Sequence, residues 1–410
     1  MVARERSDEG NTEASAGGGA AVAVARPPRK QQHRPPTLRE LRRTYGFDEV
    51  AIVPGDVTLN PDQTDISFRV GPHTLPLPVL ASAMDAVVDL PFAASLGKLG
   101  GLAVLNLEGV QTRYEHPEDV LAGLRGSSEA EATARLQESY APPIQEHLVG
   151  ERVAALKAAG VLVAVAVTPA NTKRLAPVAV EAGADILVVQ STVTTARHIS
   201  RSYHGLILSE LKASLQIPLI VGNCVTYSVA TELMEEGVDG VLVGVGPGAA
   251  CTTREVIGVG VPQVTATMDC ATARDDYLAR TGRYVAIITD GGIRTGGDLC
   301  KSFVAGADAV MLGTPFAQTI EAPGRGYNWG MATPHPALPR GTRVKTGVRA
   351  TLEQLLLGPT SLTDGTQNLL GALRVCMGYC GARTIAEFHE AELVVAPAIK
   401  TEGKHYQLGL

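Results

Sequence analysis

An eight-stranded parallel β/α barrel is the fold this sequence predicts, and three observations predict it. Eight short Val/Ile/Leu-rich runs recur along the chain without polar alternation, as strands covered on both faces require. Segments of helical apolar spacing separate them, the signature of parallel βαβ units. The residues just past the runs are small and polar, and a barrel gathers its chemistry at that end of the strands. A doubly wound open sheet is the competing topology for such units; the count of eight favours a TIM (β/α)8 barrel.

The runs, in order, are PVLAS (78–82), GLAVLN (101–106), VLVAVAV (161–167), ADILVVQ (184–190), IPLIVG (217–222), DGVLVG (239–244), YVAIITD (284–290) and ADAVMLG (307–313). Helical segments such as VATELMEEG and GGDLCKSFVAG end in glycine, a frequent helix C-cap. Three times a helix closes on Gly and a strand follows, in EAGADILVV, EEGVDGVLVG and VAGADAVMLG. The longest connection, residues 107–160, holds PEDVLAGL, SEAEATARLQESY and IQEHLVGERVAALKAAG, read as helices and a loop of the same domain.

Hydrophobic residues make up 45% of the 410 and aromatics only 4%, so the core is built from Ala, Val, Leu and Ile. A net charge of -6 argues against a nucleic-acid surface, which needs clustered Lys and Arg. No apolar run is long enough to span a bilayer. None of the six cysteines forms a CxxC pair, which argues against a zinc site and, in a chain of this size without a secretory leader, for reduced thiols and a cytoplasmic location. Residues 1–36 are rich in Gly, Ala, Pro and basic groups and poor in large apolar ones. Such a stretch buries too little to offset its chain entropy, so it is read as a disordered tail before a single barrel domain, 37–410.

The rim residues are SAMD, N, TP, QS, GN, GVGPGAAC, DGG and GT. The turns DGGIRTGGD (290–298) and LGTPF (312–316) follow the last two strands, where barrels often bind phosphate through backbone N–H groups. Asp290 at a strand end suits a ribose diol. Read conservatively, the glycines are only tight turns. Cys251 stands in GVGPGAACTTREVIGVGVPQ beside Thr252 and Thr253. A lone cysteine is more often inert, but one past a strand end in a Gly-rich loop with hydroxyls nearby fits a nucleophile. The GPG turn frees carbonyls for a hard cation such as K⁺. The other five cysteines are read as structural. The stretch EAPGRGYNWGMATPHPALPRG (321–341), with Arg325 and Trp329, reads equally as a mobile lid or a wrap over the barrel.

These residues carry a resemblance. GPGAACTTREVIGVGVPQVTA resembles the catalytic loop of the IMP dehydrogenase/GMP reductase family, and ASAMD, DGGIRTGGD, GADAVMLGTPFA and GMAT resemble its nucleotide-binding segments. GALRVCMGYCGARTIAEF resembles its C-terminal helical signature. The likeness runs from Tyr45 to Leu410. It implies that Cys251 attacks C2 of the purine while Thr253 handles protons there. It implies that Asp290 holds the ribose, and that Gly292, Gly313, Thr314 and Ser82 surround the 5′-phosphate. Met84, Gly248, Gly330 and Met331 would complete the substrate pocket, and Gln190, Ser191 and Asn223 would face a nicotinamide cofactor. The carbonyls of Gly246, Gly248 and Cys251 would match a K⁺ site, and the assembly would be a homotetramer.

Two absences bear on direction. The segment PHPALPR lacks the Arg-Tyr pair that the dehydrogenase uses to activate water, and no cystathionine-β-synthase-like module interrupts the barrel. Both favour GMP reductase with NADPH; IMP dehydrogenase with NAD, and a weakly catalytic purine-nucleotide-binding regulator, are the alternatives. Gln190 replaces the family's cofactor-binding Asp, and Arg340 stands where an acid is expected near purine N1. Glu108 at the second strand end is the carboxylate available to replace it.

Overall fold

The structure, a computed structural model, describes residues 41–199, 205–330 and 342–397. The chain divides into Met1–Arg43 and Thr44–Leu410, and the second unit carries the barrel. The tail expected over 1–36 lies outside the described residues, as do Met331 and Arg340.

All eight apolar runs are strands: β1 Val79–Ala81, β2 Leu102–Asn106, β3 Ala164–Val167, β4 Ile186–Gln190, β5 Leu219–Cys224, β6 Gly240–Val243, β7 Ala286–Asp290 and β8 Ala309–Leu312. They pair in parallel in chain order, and β8 returns to β1 through Val310 opposite Val79, Met311 opposite Leu80 and Leu312 opposite Ala81. That last pairing closes the sheet and excludes the open alternative.

Side chains alternate across each strand. Leu80, Leu102, Ala164, Ile186, Ile220, Leu242, Ile288 and Met311 fill the barrel, while Val79, Ala103, Val165, Leu187, Val221, Val241 and Ile287 belong to the layer under the helices. The small interior residues Ala164, Ala166, Ala286 and Ala309 leave room for their bulky neighbours; enlarging one overpacks the interior by about 1–3 kcal/mol. A hairpin, Phe68–Val70 with His73–Leu75, adds Phe68, Val70 and Leu75 to that interior cluster. The turn of this hairpin at Gly71 lies against Pro218, just before β5, so it plugs the end where strands begin. The opposite end is left for the site.

The connection between β2 and β3 is helical at Pro117–Gly126, Glu129–Tyr140 and Glu146–Ala158, as expected. Part of the 321–341 segment is a wrap: Tyr327–Trp329 pairs antiparallel with Arg343–Lys345, and Trp329 is fully buried with Leu121, Leu136 and Tyr140. Arg343 stacks on Tyr327, 4.4 Å from its ring centre, and donates to Ser127 O at 2.7 Å, tying this ribbon to the connection's helices. Among the described residues, no helix is long and apolar enough to cross a membrane.

Candidate active site

The C-terminal rim brings the sequence-predicted residues together in three groups. The first lies over β1 and β8. Ser82 donates its N–H to Leu312 O at 3.0 Å, which joins the ends of the two strands. A side chain on Gly313 would start 3.2 Å from Met84 Sδ and 3.6 Å from Ser82 Oγ, so Ser82, Met84 and Gly313 share one corner. Thr314 accepts a bond from Asn328 Nδ2 at 3.2 Å. Chain neighbours aside, no described residue lies within 4 Å of where a side chain on Gly330 would start.

The second group is the loop after β6. Cys251 is exposed, Thr253 is buried, and Sγ lies 3.2 Å from Thr253 Oγ1. The neutral thiol donates to that hydroxyl; once ionised, the thiolate is placed to accept from it. Cys251 N–H donates to Gly248 O at 3.0 Å, which closes the turn and engages one of the three carbonyls expected to face K⁺. Gly246 has φ 76°, a left-handed conformation that suits glycine, and lies under the Arg254 side chain. Arg254 clasps the loop, donating from Nε to Val245 O at 3.0 Å and from Nη2 to Val261 O at 2.6 Å. Burial lowers the pKa of Arg254, and a negative charge on Cys251 opposes that effect.

The third group surrounds β7. Gly291 and Gly292 both have positive φ, 85° and 81°, and both pack on Pro247 of the cysteine loop, so the predicted phosphate turn and the thiol loop are neighbours. Asp290 Oδ2 accepts from Asn223 Nδ2 at 2.8 Å and from Gln190 Nε2 at 3.0 Å. Burial pushes the Asp290 pKa up to about 6 against the opposing pull of these bonds. Gln190, Asn223 and Asp290 close three different strands, and the sequence reading had divided them between cofactor and substrate. The structure joins them.

The expected cofactor residues Gln190, Ser191 and Asn223 are hydrogen-bonded within the protein. Both Nε2 protons of Gln190 are used within the protein, one on Asp290 and one on Asn223 Oδ1 at 2.9 Å. Ser191 Oγ bonds Val193 O and lies 2.9 Å from Thr194 Oγ1. No catalytic step is therefore routed through these three.

Glu108, the carboxylate expected to stand in for the missing acid, is held at both oxygens: Thr168 N–H reaches Oε1 at 2.5 Å and Asn171 Nδ2 reaches Oε2 at 2.8 Å. Among the other cysteines, Cys224 and Cys270 are buried with their sulfurs 3.9 Å apart. Three residues were given no role of their own by the sequence reading. Arg254 is the loop clasp. Gln263, from the helix Gln263–Thr281, donates to Val243 O at 2.6 Å beneath the loop. Asp85 lies behind Met84, fully buried, with its Oδ2 accepting from the Tyr140 hydroxyl at 2.5 Å and Val110 N–H at 3.2 Å. Its Oδ1 has no partner among the described residues. The one available signal was a carboxylate inside the apolar stretch ASAMDAVV.

Comparison with known proteins gives the family. Residues 44–333 match the model of the IMP dehydrogenase / GMP reductase domain. An uncharacterized oxidoreductase of Mycobacterium leprae is 40% identical over 87% of this chain and 98% of its own length. The inosine-5′-monophosphate dehydrogenase of Cryptosporidium parvum is 29% identical over 83% of this chain and 89% of its own. The crystal structure of an IMP dehydrogenase/GMP reductase-like protein from Corynebacterium glutamicum superposes with a TM-score of 0.82 and 36% identity, covering 87% of this chain and 96% of that one. The chain belongs to the IMP dehydrogenase/GMP reductase family of oxidoreductases.

Proposed function

We propose that the chain acts at C2 of a purine nucleoside monophosphate through Cys251, converting GMP to IMP. The observation that carries this reading is the exposed Cys251 thiol with the Thr253 hydroxyl 3.2 Å away, on a loop packed against the Gly291–Gly292 turn. A surface cysteine with no task needs neither the buried hydroxyl nor the Arg254 clasp.

In this reading the Gly291–Gly292 turn, Gly313 and Ser82 receive the 5′-phosphate, Asp290 the ribose, and the base lies over Met84 towards Cys251. The thiolate attacks C2, the S–C2 bond forms, and the bond from C2 to the exocyclic amine breaks, releasing ammonia after protonation. Thr253 gives or takes the proton beside sulfur. Hydride at C2 would come from the nicotinamide cofactor that the family uses, and its arrival would return the thiolate. A K⁺ ion on the carbonyls of Gly246, Gly248 and Cys251 would brace the loop, and a homotetramer is the expected assembly.

One observation favours a second reading, IMP oxidation to XMP. The Cryptosporidium dehydrogenase aligns over 89% of its own length with this chain, so a large interrupting module is not what defines that activity. Paired assays decide: GMP with NADPH, and IMP with NAD⁺, each on wild type and Cys251→Ala. NADPH loss that requires GMP, releases ammonia and disappears in Cys251→Ala establishes the reductase. NADH formation with IMP alone replaces it by the dehydrogenase, and silence in both assays overturns the catalytic reading.

A further inference from the structure

We infer that Gln190 is a positioning residue for the ribose acceptor Asp290, and that it sets the preference for a nucleotide carrying its sugar hydroxyls rather than contacting a cofactor. This rests on the nucleotide reading above.

Gln190 ends β4 and Asp290 ends β7, 100 positions apart, and Asn223 of β5 lies between them. The three side chains close a triangle. Gln190 Nε2 donates to Asn223 Oδ1 at 2.9 Å and to Asp290 Oδ2 at 3.0 Å, and Asn223 Nδ2 donates to the same Oδ2 at 2.8 Å. The orientation of both amides follows from the acceptor, because a carboxylate offers only lone pairs; turning either amide over would set oxygen against oxygen. Oδ2 thus takes two donors, which fixes the plane of the carboxylate. Among the described residues both side-chain bonds to Asp290 fall on Oδ2, and the residue is only half-buried. One oxygen, presented at a fixed angle, is left for the sugar.

The identity of residue 190 matters because of charge. Among the described residues, the side chains that bond Asp290 are two neutral amides. A carboxylate at 190 would sit about 3 Å from a second, half-buried carboxylate; at pH 7.5 the two repel, and as pH falls the pair takes up one shared proton. Glutamine gives this site a single, ionisable acceptor instead. Its two donor protons are both used there, and that argues against the cofactor contact expected from its place in the sequence.

The test is equilibrium binding of GMP and of 2′-deoxy-GMP by calorimetry, at pH 7.5 and pH 5, to wild type, Gln190→Glu and Gln190→Leu. Wild type should favour GMP by about tenfold at pH 7.5, the value of one hydrogen bond to a charged acceptor. That preference should shrink at pH 5 as Asp290 takes up a proton. Gln190→Glu should lose most of it at pH 7.5 and regain it at pH 5, where one shared proton restores a donor to Asp290; the two pH trends are opposite in sign. Gln190→Leu removes the donor without adding charge and should lower the preference with a weaker pH trend, so a folding failure in one variant leaves the other to report. Binding of 2′-deoxy-GMP should change by no more than about twofold, since it lacks the hydroxyl in question. Unchanged discrimination in both variants, or a selective loss of NADPH binding with discrimination intact, overturns the inference and returns Gln190 to the cofactor. Failure of wild type to bind either nucleotide overturns the nucleotide reading itself, a different result from retained binding without a Gln190 effect.

Discussion

Replacing Asp85 by Asn isolates the buried acid behind the rim. Among the described residues, one of its oxygens takes two donors, from Tyr140 and Val110, and the other takes none. Burial outweighs those two bonds and pushes the pKa from 3.8 to about 6. A carboxyl whose folded value is raised adds stability that is fully present below its unfolded pKa and is lost as pH rises through the folded one. The window here is therefore about pH 4 to pH 7. A shift of about two units at about 1.4 kcal/mol each makes the loss about 3 kcal/mol. Asn keeps the shape and one oxygen able to accept from both Tyr140 and Val110, and it has no proton to lose. Its unpaired amide adds a pH-independent offset, so the slope is the observable and the level is not. Stability of Asp85→Asn relative to wild type should rise by about 3 kcal/mol across the window, a change in the midpoint difference of roughly 3–4 °C for a chain of this size. Thermal unfolding followed by circular dichroism in half-unit pH steps reads it. Taking the difference between the two proteins cancels Asp290, the other carboxyl raised to about 6. A difference that is flat or falling between pH 4 and pH 7 would refute the placement of an ionised, half-satisfied carboxylate in this position.

Three further outcomes follow from the geometry. Gly244→Ala puts a methyl 2.2 Å from Asp290 O at a backbone φ of 151°, so the end of β7 must move; nucleotide affinity should fall by about tenfold or more, with a lowered melting midpoint. Arg254→Ala removes both clasps of the cysteine loop, and amide exchange across 245–261 should accelerate by about tenfold or more while β1–β8 exchange as before. Thr253→Val keeps the shape but removes the hydroxyl beside sulfur, and iodoacetamide should alkylate Cys251 several-fold more slowly, by about 1 kcal/mol of lost hydrogen bonding; an unchanged rate would show that the hydroxyl does not assist the thiolate.

The barrel was legible in the sequence because its strands are covered on both faces, and two-sided burial writes itself as unbroken runs such as ADILVVQ and YVAIITD. The cysteine loop and the Gly291–Gly292 turn were legible too, since glycine marks backbone that other residues adopt only with strain. The closing of β8 onto β1 was not, because parallel pairing leaves no local trace of which strand comes next. Nor were the contacts that give the site its chemistry. Gln190 and Asp290 are 100 positions apart, and Tyr140 is 55 from Asp85. Nothing near Gln190 in the chain says that its amide turns towards a carboxylate rather than a cofactor, and nothing near Tyr140 says that its helix ends over the rim. Periodicity and backbone strain are local and are recorded residue by residue. The partner of a buried polar group is settled only when distant strand ends meet, because it is there that desolvation leaves each donor and acceptor dependent on whatever the fold has brought within 3 Å.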